Sequence, residues 1–256
     1  MILLRDLLLV CFLLGISTPP TIADDEAVTV FAAASLTNAL PELAQSWADA
    51  TGYAAPRISF GPSAMMARQV AAGAPAHIML SANPDWVAFL QARGLLASSP
   101  KNVVQNRLVL VQPGSGAMAD TALTTAQLEQ VIGSARFAIA DPTIAPAGAY
   151  ARSYLEHLNL WEKLKPQAAM GTSVRQTLVL VERGGMPGFV YASDARLSSR
   201  VDVVGVVPGD NIPPILYAAG RTKKAGRAAD SLFIFLVSEQ AAQVWKKYGF
   251  APIVPK

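Results

Sequence analysis

The chain has 256 residues, of which 52% are apolar and 15% charged, with one cysteine and a formal net charge of +3. That length supplies a full core in one large domain or two modest ones, and the apolar content excludes a disordered chain. The single cysteine excludes a disulfide scaffold, and the longest unbroken apolar stretch, residues 7–16, is too short to span a bilayer, which excludes a polytopic membrane protein.

The first element is that stretch itself. Arg5 precedes it and the breaker-rich Thr18-Pro19-Pro20-Thr21-Ile22-Ala23 follows, the layout of a secretory signal peptide over residues 1–23 with cleavage after Ala23. The alternative is an anchor that stays attached. Cys11 lies within the apolar region behind Val10, where lipidation would need a small residue, so no lipid anchor is expected.

Beyond residue 23, short β-branched runs alternate with segments of helical period, which predicts an α/β fold with mostly parallel sheets flanked by helices. Residues 28–31 read as a strand, and Leu36, Leu40, Leu43 and Trp47 then fall on one helix face. A strand at 58–60 precedes a helix through Met66 and Val70 that Gly73 terminates, and residues 78–80 form the next strand. Asn83-Pro84 reads as an N-cap and first helical position of a helix closed by Gly94.

A second set starts with a strand at 108–111. Thr124 and Gln127 have capping-box spacing ahead of Leu128, Val131 and Ile132, and a strand follows at 137–140. Ala151, Tyr154, Leu155, Leu158 and Trp161 mark one helix, and Val174, Leu178 and Val181 another that ends at Gly184-Gly185. Strands at 189–191 and 201–207 precede two C-terminal helices, marked by Ala229, Leu232, Phe233 and Leu236 and by Val244, Trp245 and Tyr248.

No catalytic constellation stands out, so no enzyme activity and no cofactor are expected. His77 and His157 lie in different segments and read as an edge or surface residue and a helix-surface residue. Gly61-Pro62-Ser63-Ala64-Met65 lacks the closing glycine of a nucleophile elbow. Metal-ligand spacing, Walker and dinucleotide fingerprints are missing. The basic clusters Arg221, Lys223, Lys224 and Arg227, and Lys246-Lys247, read as solvated helix surface and not as a nucleic-acid interface.

What recurs is strand, small polar loop, helix start. Ala33-Ala34-Ser35, Gly61-Pro62-Ser63, the segment ending in Pro146-Ala147-Gly148, and Gly171-Thr172-Ser173 each place free backbone N–H groups at a helix N-terminus beyond the carboxyl end of a strand. That geometry binds anions. Taken singly, Ser35, Ser63 and Ser173 read more readily as ordinary N-caps.

These loops also carry a family likeness. Phe31-Ala32-Ala33-Ala34-Ser35-Leu36, Phe60-Gly61-Pro62-Ser63-Ala64 with Ala67-Arg68-Gln69, Gly73-Ala74-Pro75-Ala76, Ala140-Asp141-Pro142 with Pro146-Ala147-Gly148, Val174-Arg175 and Val190-Tyr191-Ala192-Ser193-Asp194-Ala195 occur in an order and spacing that resembles the periplasmic molybdate-binding proteins of ABC-type importers. The resemblance runs from about Val28 to Pro252. It implies a two-lobed, type II periplasmic binding protein fold with the ligand in the inter-lobe cleft: residues 24–104 plus 217–256 in lobe 1, residues 105–216 in lobe 2, and crossings near Gln105 and Leu216.

By position, the resemblance implies that an oxyanion is held by the hydroxyls of Ser35 and Ser63, the N–H groups of Ser63, Ala147 and Val174, and the phenol of Tyr191. Molybdenum would then be bound only as molybdate, with no protein atom on the metal. The implied partners are molybdate or tungstate and a membrane permease, for a monomer in the periplasm. Pro62 and His77 depart from the family's usual residues: Pro62 has no N–H to offer, and an aspartate is common where His77 stands. Sulfate, another small anion or a small organic acid stays open as ligand, and an exported serine hydrolase using Ser35 or Ser63 is the alternative from a different class.

Overall fold

The computed structural model describes residues 27–253, so the expected signal peptide lies outside the described residues. The first strand, β1 (Thr29–Ala33), is buried along most of its length and leads through a 3-10 turn (Ala34–Leu36) into α1 (Ala39–Thr51). β2 (Arg57–Gly61) feeds α2 (Ser63–Ala71), and β3 (Ile78–Ser81) feeds α3 (Pro84–Ala92). β4 (Lys101–Asn106) passes after one residue, Arg107, into β5 (Leu108–Pro113). There follow α4 (Thr125–Ile132), β6 (Phe137–Ala140), α5 (Pro146–His157), α6 (Trp161–Leu164), β7 (Ala168–Gly171), α7 (Val174–Gly184), β8 (Gly188–Tyr191), α8 (Ala192–Ala195) and β9 (Val201–Val206). The chain ends with β10 (Ile215–Arg221), α9 (Arg227–Phe235), α10 (Glu239–Lys247) and β11 (Ala251–Pro252).

These strands form two sheets among the described residues, ordered β11-β4-β10-β3-β1-β2 and β7-β6-β8-β5-β9. Each sheet with its helices is one lobe. The chain leaves the first sheet at Arg107 and returns over residues 207–214, so Leu216 already sits within β10, paired with Gln105 of β4.

The sheets are mixed, not mostly parallel. β2, β1 and β3 are parallel to one another, as are β7, β6 and β8, whereas β10 runs antiparallel to β3 and β4, and β5 antiparallel to β8 and β9. The cause is the double crossing. The parallel strands end at the cleft, and a strand arriving from the other lobe enters at that same edge, so it must run away from it. β4 has no counterpart in the sequence reading because Lys101, Asn102, Gln105 and Asn106 dilute its apolar signal.

Three local features complete the frame. Trp47 of α1 is fully buried and donates from Nε1 to Ser231 Oγ at 3.1 Å, which ties the first helix of lobe 1 to the last part of the chain. The expected single helix through Trp161 is two: Asn159 adopts φ 58°, and Leu160 N–H donates to Leu155 O at 2.7 Å while Asn159 N–H donates to Glu156 O at 2.9 Å. That pair of bonds is a Schellman ending, which makes Trp161 the first residue of a separate short helix. His77 is buried and not at the surface; its Nδ1 accepts the N–H of Thr29 at 2.9 Å, a bond that a carboxylate at this position would also accept.

Gly148, in the first turn of α5, lies against the carboxyl end of β6. A Cβ there would stand 1.9 Å from the carbonyl oxygen of Ala140. Neither backbone can yield without moving the helix start, so Gly148→Ala is expected to destabilise the protein by about 1–3 kcal/mol, read as a lowered thermal midpoint by circular dichroism. An unchanged midpoint would show that α5 shifts freely on its sheet.

Candidate functional site

The loops that follow the parallel strands face each other across the cleft and enclose a small cavity. It is lined from lobe 1 by Ser35, Pro62, Ser63 and their neighbours, and from lobe 2 by Ala147, Ser173, Val174 and Tyr191 with theirs. The structure therefore brings together all five residues that the sequence singled out. Its volume is about 10 Å³, roughly the room for one water molecule and far below the roughly 300–1,000 Å³ of a pocket for an organic ligand.

Each wall residue is placed by its local backbone. Ser63 is the first residue of α2 and buried; its Oγ accepts the N–H of Ala82 at 3.2 Å. Ala147 follows Pro146 in the first turn of α5, where proline's missing N–H costs nothing. Val174 opens α7 behind Ser173, the N-cap, whose Oγ accepts the N–H of Gln176 at 3.3 Å. The N–H groups of Ser63, Ala147 and Val174 lie in first turns, where no intrahelical acceptor exists. Of the three serines that read as N-caps, only Ser173 caps its helix; Pro62 holds that position before α2.

Ser35 corrects one expectation. It sits within the 3-10 turn and not at the start of an α-helix, because α1 begins four residues later. Three α-helix N-termini therefore face the cavity instead of four, a fixed partial charge of about +1.5 at roughly +0.5 each. Ser35 Oγ lies 2.7 Å from Tyr217 Oη.

Tyr191, at the end of β8, is buried with its hydroxyl unpartnered by protein among the described residues. Burial pushes its phenol well above the ordinary value, with Tyr217 adding to the effect, so Tyr191 stays protonated and keeps a hydrogen to donate. An orphaned buried hydroxyl aimed into a cavity marks a place for an acceptor. The lining contains no charged side chain and no histidine.

Four further residues organise the site, and sequence reasoning gave them no role. Arg175, the second residue of α7, reaches across the cleft, where Nη2 donates to Ser35 O at 3.0 Å and Nη1 to Asn38 Oδ1 at 2.7 Å. Its Nε stands 2.6 Å from Asp194 Oδ1, whose side chain is fully buried. Burial pushes the Asp194 carboxyl up to about 7, against the opposing pull of Arg175. Tyr217 and Asn106 back Ser35, with Asn106 Nδ2 3.3 Å from Tyr217 Oη and 2.8 Å from Ser193 Oγ. A further tie between the lobes is the bond from Ala64 N–H to Ile144 O at 3.3 Å. Arg175 and Asp194 stand in the quoted motifs, but nothing in one sequence shows that they pair, and Tyr217 reads as a core strand residue.

Comparison with known proteins gives a consistent result. Residues 28–251 match the family model of the bacterial extracellular solute-binding proteins. The molybdate-binding protein ModA of Haemophilus influenzae is 37% identical over 227 residues, covering 88% of this chain and 89% of that protein. ModA of Escherichia coli is 35% identical over 233 residues, covering 90% of each. The structure of the periplasmic molybdate-binding protein of Azotobacter vinelandii superposes with a TM-score of 0.76 at 24% identity, covering 90% of this chain and all of that one, and shares the fold.

The buried pair has a pH signature. An acid whose folded-state value lies above its unfolded one costs stability as pH rises between the two, here from about 4 to about 7. Asp194→Asn removes that cost, so the stability of the variant relative to the parent, measured by denaturant titration, is expected to rise across this window and level off above it. A difference that stays flat would show that Arg175 holds Asp194 ionised throughout.

Proposed function

The chain belongs to the bacterial extracellular solute-binding protein family, and on that premise we propose that it captures molybdate between its lobes and delivers it to the permease of an ABC importer. It acts in the periplasm as a monomer, and tungstate, of the same charge and shape, is a second ligand. The observation that carries this reading is the buried Tyr191 hydroxyl, without a protein acceptor among the described residues, opening on a small cavity walled by serine hydroxyls and first-turn N–H groups. The similarity to the molybdate-binding relatives supports the identity of the ion.

The anion is held by the hydroxyls of Ser35 and Ser63, the N–H groups of Ser63, Ala147 and Val174, and the phenol of Tyr191. Pro62 adds nothing, since it lacks an N–H. A hydrogen bond to a charged group contributes roughly 1.5–3 kcal/mol net, so six offset the cost of lobe closure and leave binding in the sub-micromolar range, about −8 kcal/mol or better. The helix N-termini supply positive potential without a cation. Closure is already wired: Arg175 and the Ala64–Ile144 bond connect the lobes beside the cavity. A lining of neutral donors suits an oxyanion, and without histidine or carboxylate it offers neither serine a general base.

Isothermal calorimetry with molybdate, tungstate, sulfate and phosphate tests the reading. Molybdate and tungstate are expected to bind more tightly than sulfate or phosphate, and equal responses to sulfate and molybdate would overturn the assignment. Tyr191→Phe loses one charge-assisted bond, an expected weakening of molybdate binding of about ten- to a hundredfold. Unchanged affinity would show that the phenol takes no part.

A further inference from the structure

The hydrogen-bond polarity behind Ser35 is fixed from the backbone outward. The N–H of Arg107 donates to Asn106 Oδ1 at 2.9 Å, which turns the amide NH2 toward Ser193 Oγ and Tyr217 Oη. A carboxamide nitrogen carries only hydrogens, so Tyr217 Oη accepts from it. The phenol proton then has one remaining partner among the described residues, Ser35 Oγ at 2.7 Å. Ser35 Oγ thus receives a hydrogen from behind, and its own hydroxyl hydrogen is left for the cavity that it lines.

A serine hydroxyl ordinarily rotates to donate or accept as its neighbour requires. Here that freedom is gone. Ser35, Asn106, Ser193 and Tyr217 are all buried, so no bulk water reverses the chain of donors. Ser63 is constrained in the same sense, because its oxygen already accepts the N–H of Ala82.

We infer that Asn106 and Tyr217 form a donor relay that makes Ser35 an obligate hydrogen-bond donor, and that these two positioning residues set the site's selectivity for oxyanions that carry no proton. The inference rests on the reading that Ser35 faces an anion. A fully deprotonated dianion accepts from every group in the wall. Hydrogen phosphate and hydrogen arsenate bring one O–H that needs an acceptor, and a buried donor left without one loses about tenfold or more in affinity. Neither Asn106 nor Tyr217 lines the cavity, so their effect reaches the ligand through Ser35.

Tyr217→Phe removes the relay's hydroxyl while keeping the ring, which packs edge to face on Tyr191 at 5.9 Å and on Phe250 at 5.4 Å. Calorimetry with molybdate and inorganic phosphate near neutral pH, on parent and variant, reads the ratio of the two dissociation constants. The variant is expected to bind molybdate about tenfold more weakly and phosphate no more weakly than the parent, so the ratio narrows about tenfold. Asn106→Asp, which turns the amide donor into an acceptor and reverses the relay, is expected to narrow the ratio as well. In a Ser35→Ala background Tyr217→Phe should no longer move it. Equal weakening for both ions, as a packing role would give, or an unmoved ratio in folded variants overturns the inference while parental molybdate binding still stands. A parent that binds no oxyanion would instead remove the reading beneath it, and the relay with it.

Discussion

The proposed site turns on how a doubly charged ion can be buried without a counter-charge beside it. Desolvating an isolated charge is prohibitive unless its lost hydration is replaced by aligned dipoles. The proposed site replaces it with neutral donors: two serine hydroxyls, one phenol, and N–H groups at the starts of α2, α5 and α7. A donor that is both buried and free of protein acceptors is costly before the ligand arrives, and Tyr191 shows that cost directly. In the proposed capture, splitting the donors between two lobes answers this, because separated lobes would leave them hydrated and closure would desolvate them only around the anion.

The nearby cation is placed one layer back. Arg175 does not line the cavity; its Nε faces Asp194 Oδ1, and its remaining donors go to Ser35 O and Asn38 across the cleft. The guanidinium therefore serves the junction between the lobes, where its planar fork suits several acceptors at once. Near it the chain crosses between sheets at Arg107, and Asn106, the last residue of β4, uses that crossing's N–H to orient its amide. The same crossings make the sheets mixed, since a strand entering at the cleft must run against those that end there.

Much of this was legible in the sequence where local chemistry decides. The Asn83 cap, the Thr124–Gln127 capping box and the Gly184-Gly185 stop all form as their spacing predicts. The loops carrying Ser35, Ser63, Ala147, Val174 and Tyr191 line one cavity, as the repeated strand-loop-helix pattern and the family likeness together suggested. What stayed hidden is of two kinds, local backbone choices and long-range pairing. Ser35 lies in a 3-10 turn because α1 starts late, and no residue pattern marks that delay. Asn159 ends α5 by adopting a left-handed conformation beneath an apolar period that continues to Trp161. His77 is buried because its ring accepts from Thr29, 48 residues away, and Tyr217 reaches Ser35 across 182 residues. A single sequence shows each of these side chains without its partner.

In the proposed complex one compact dianion sits between Ser35 and Tyr191 on neutral donors alone. A crystal structure of the protein grown with molybdate, with diffraction recorded across the molybdenum absorption edge, tests it most directly. One anomalous peak is expected in this cavity, with Ser35, Ser63, Ala147, Val174 and Tyr191 at hydrogen-bond distance from the oxygens and the guanidinium of Arg175 outside contact. A peak elsewhere, or an anion held by a lysine or arginine side chain, would contradict it.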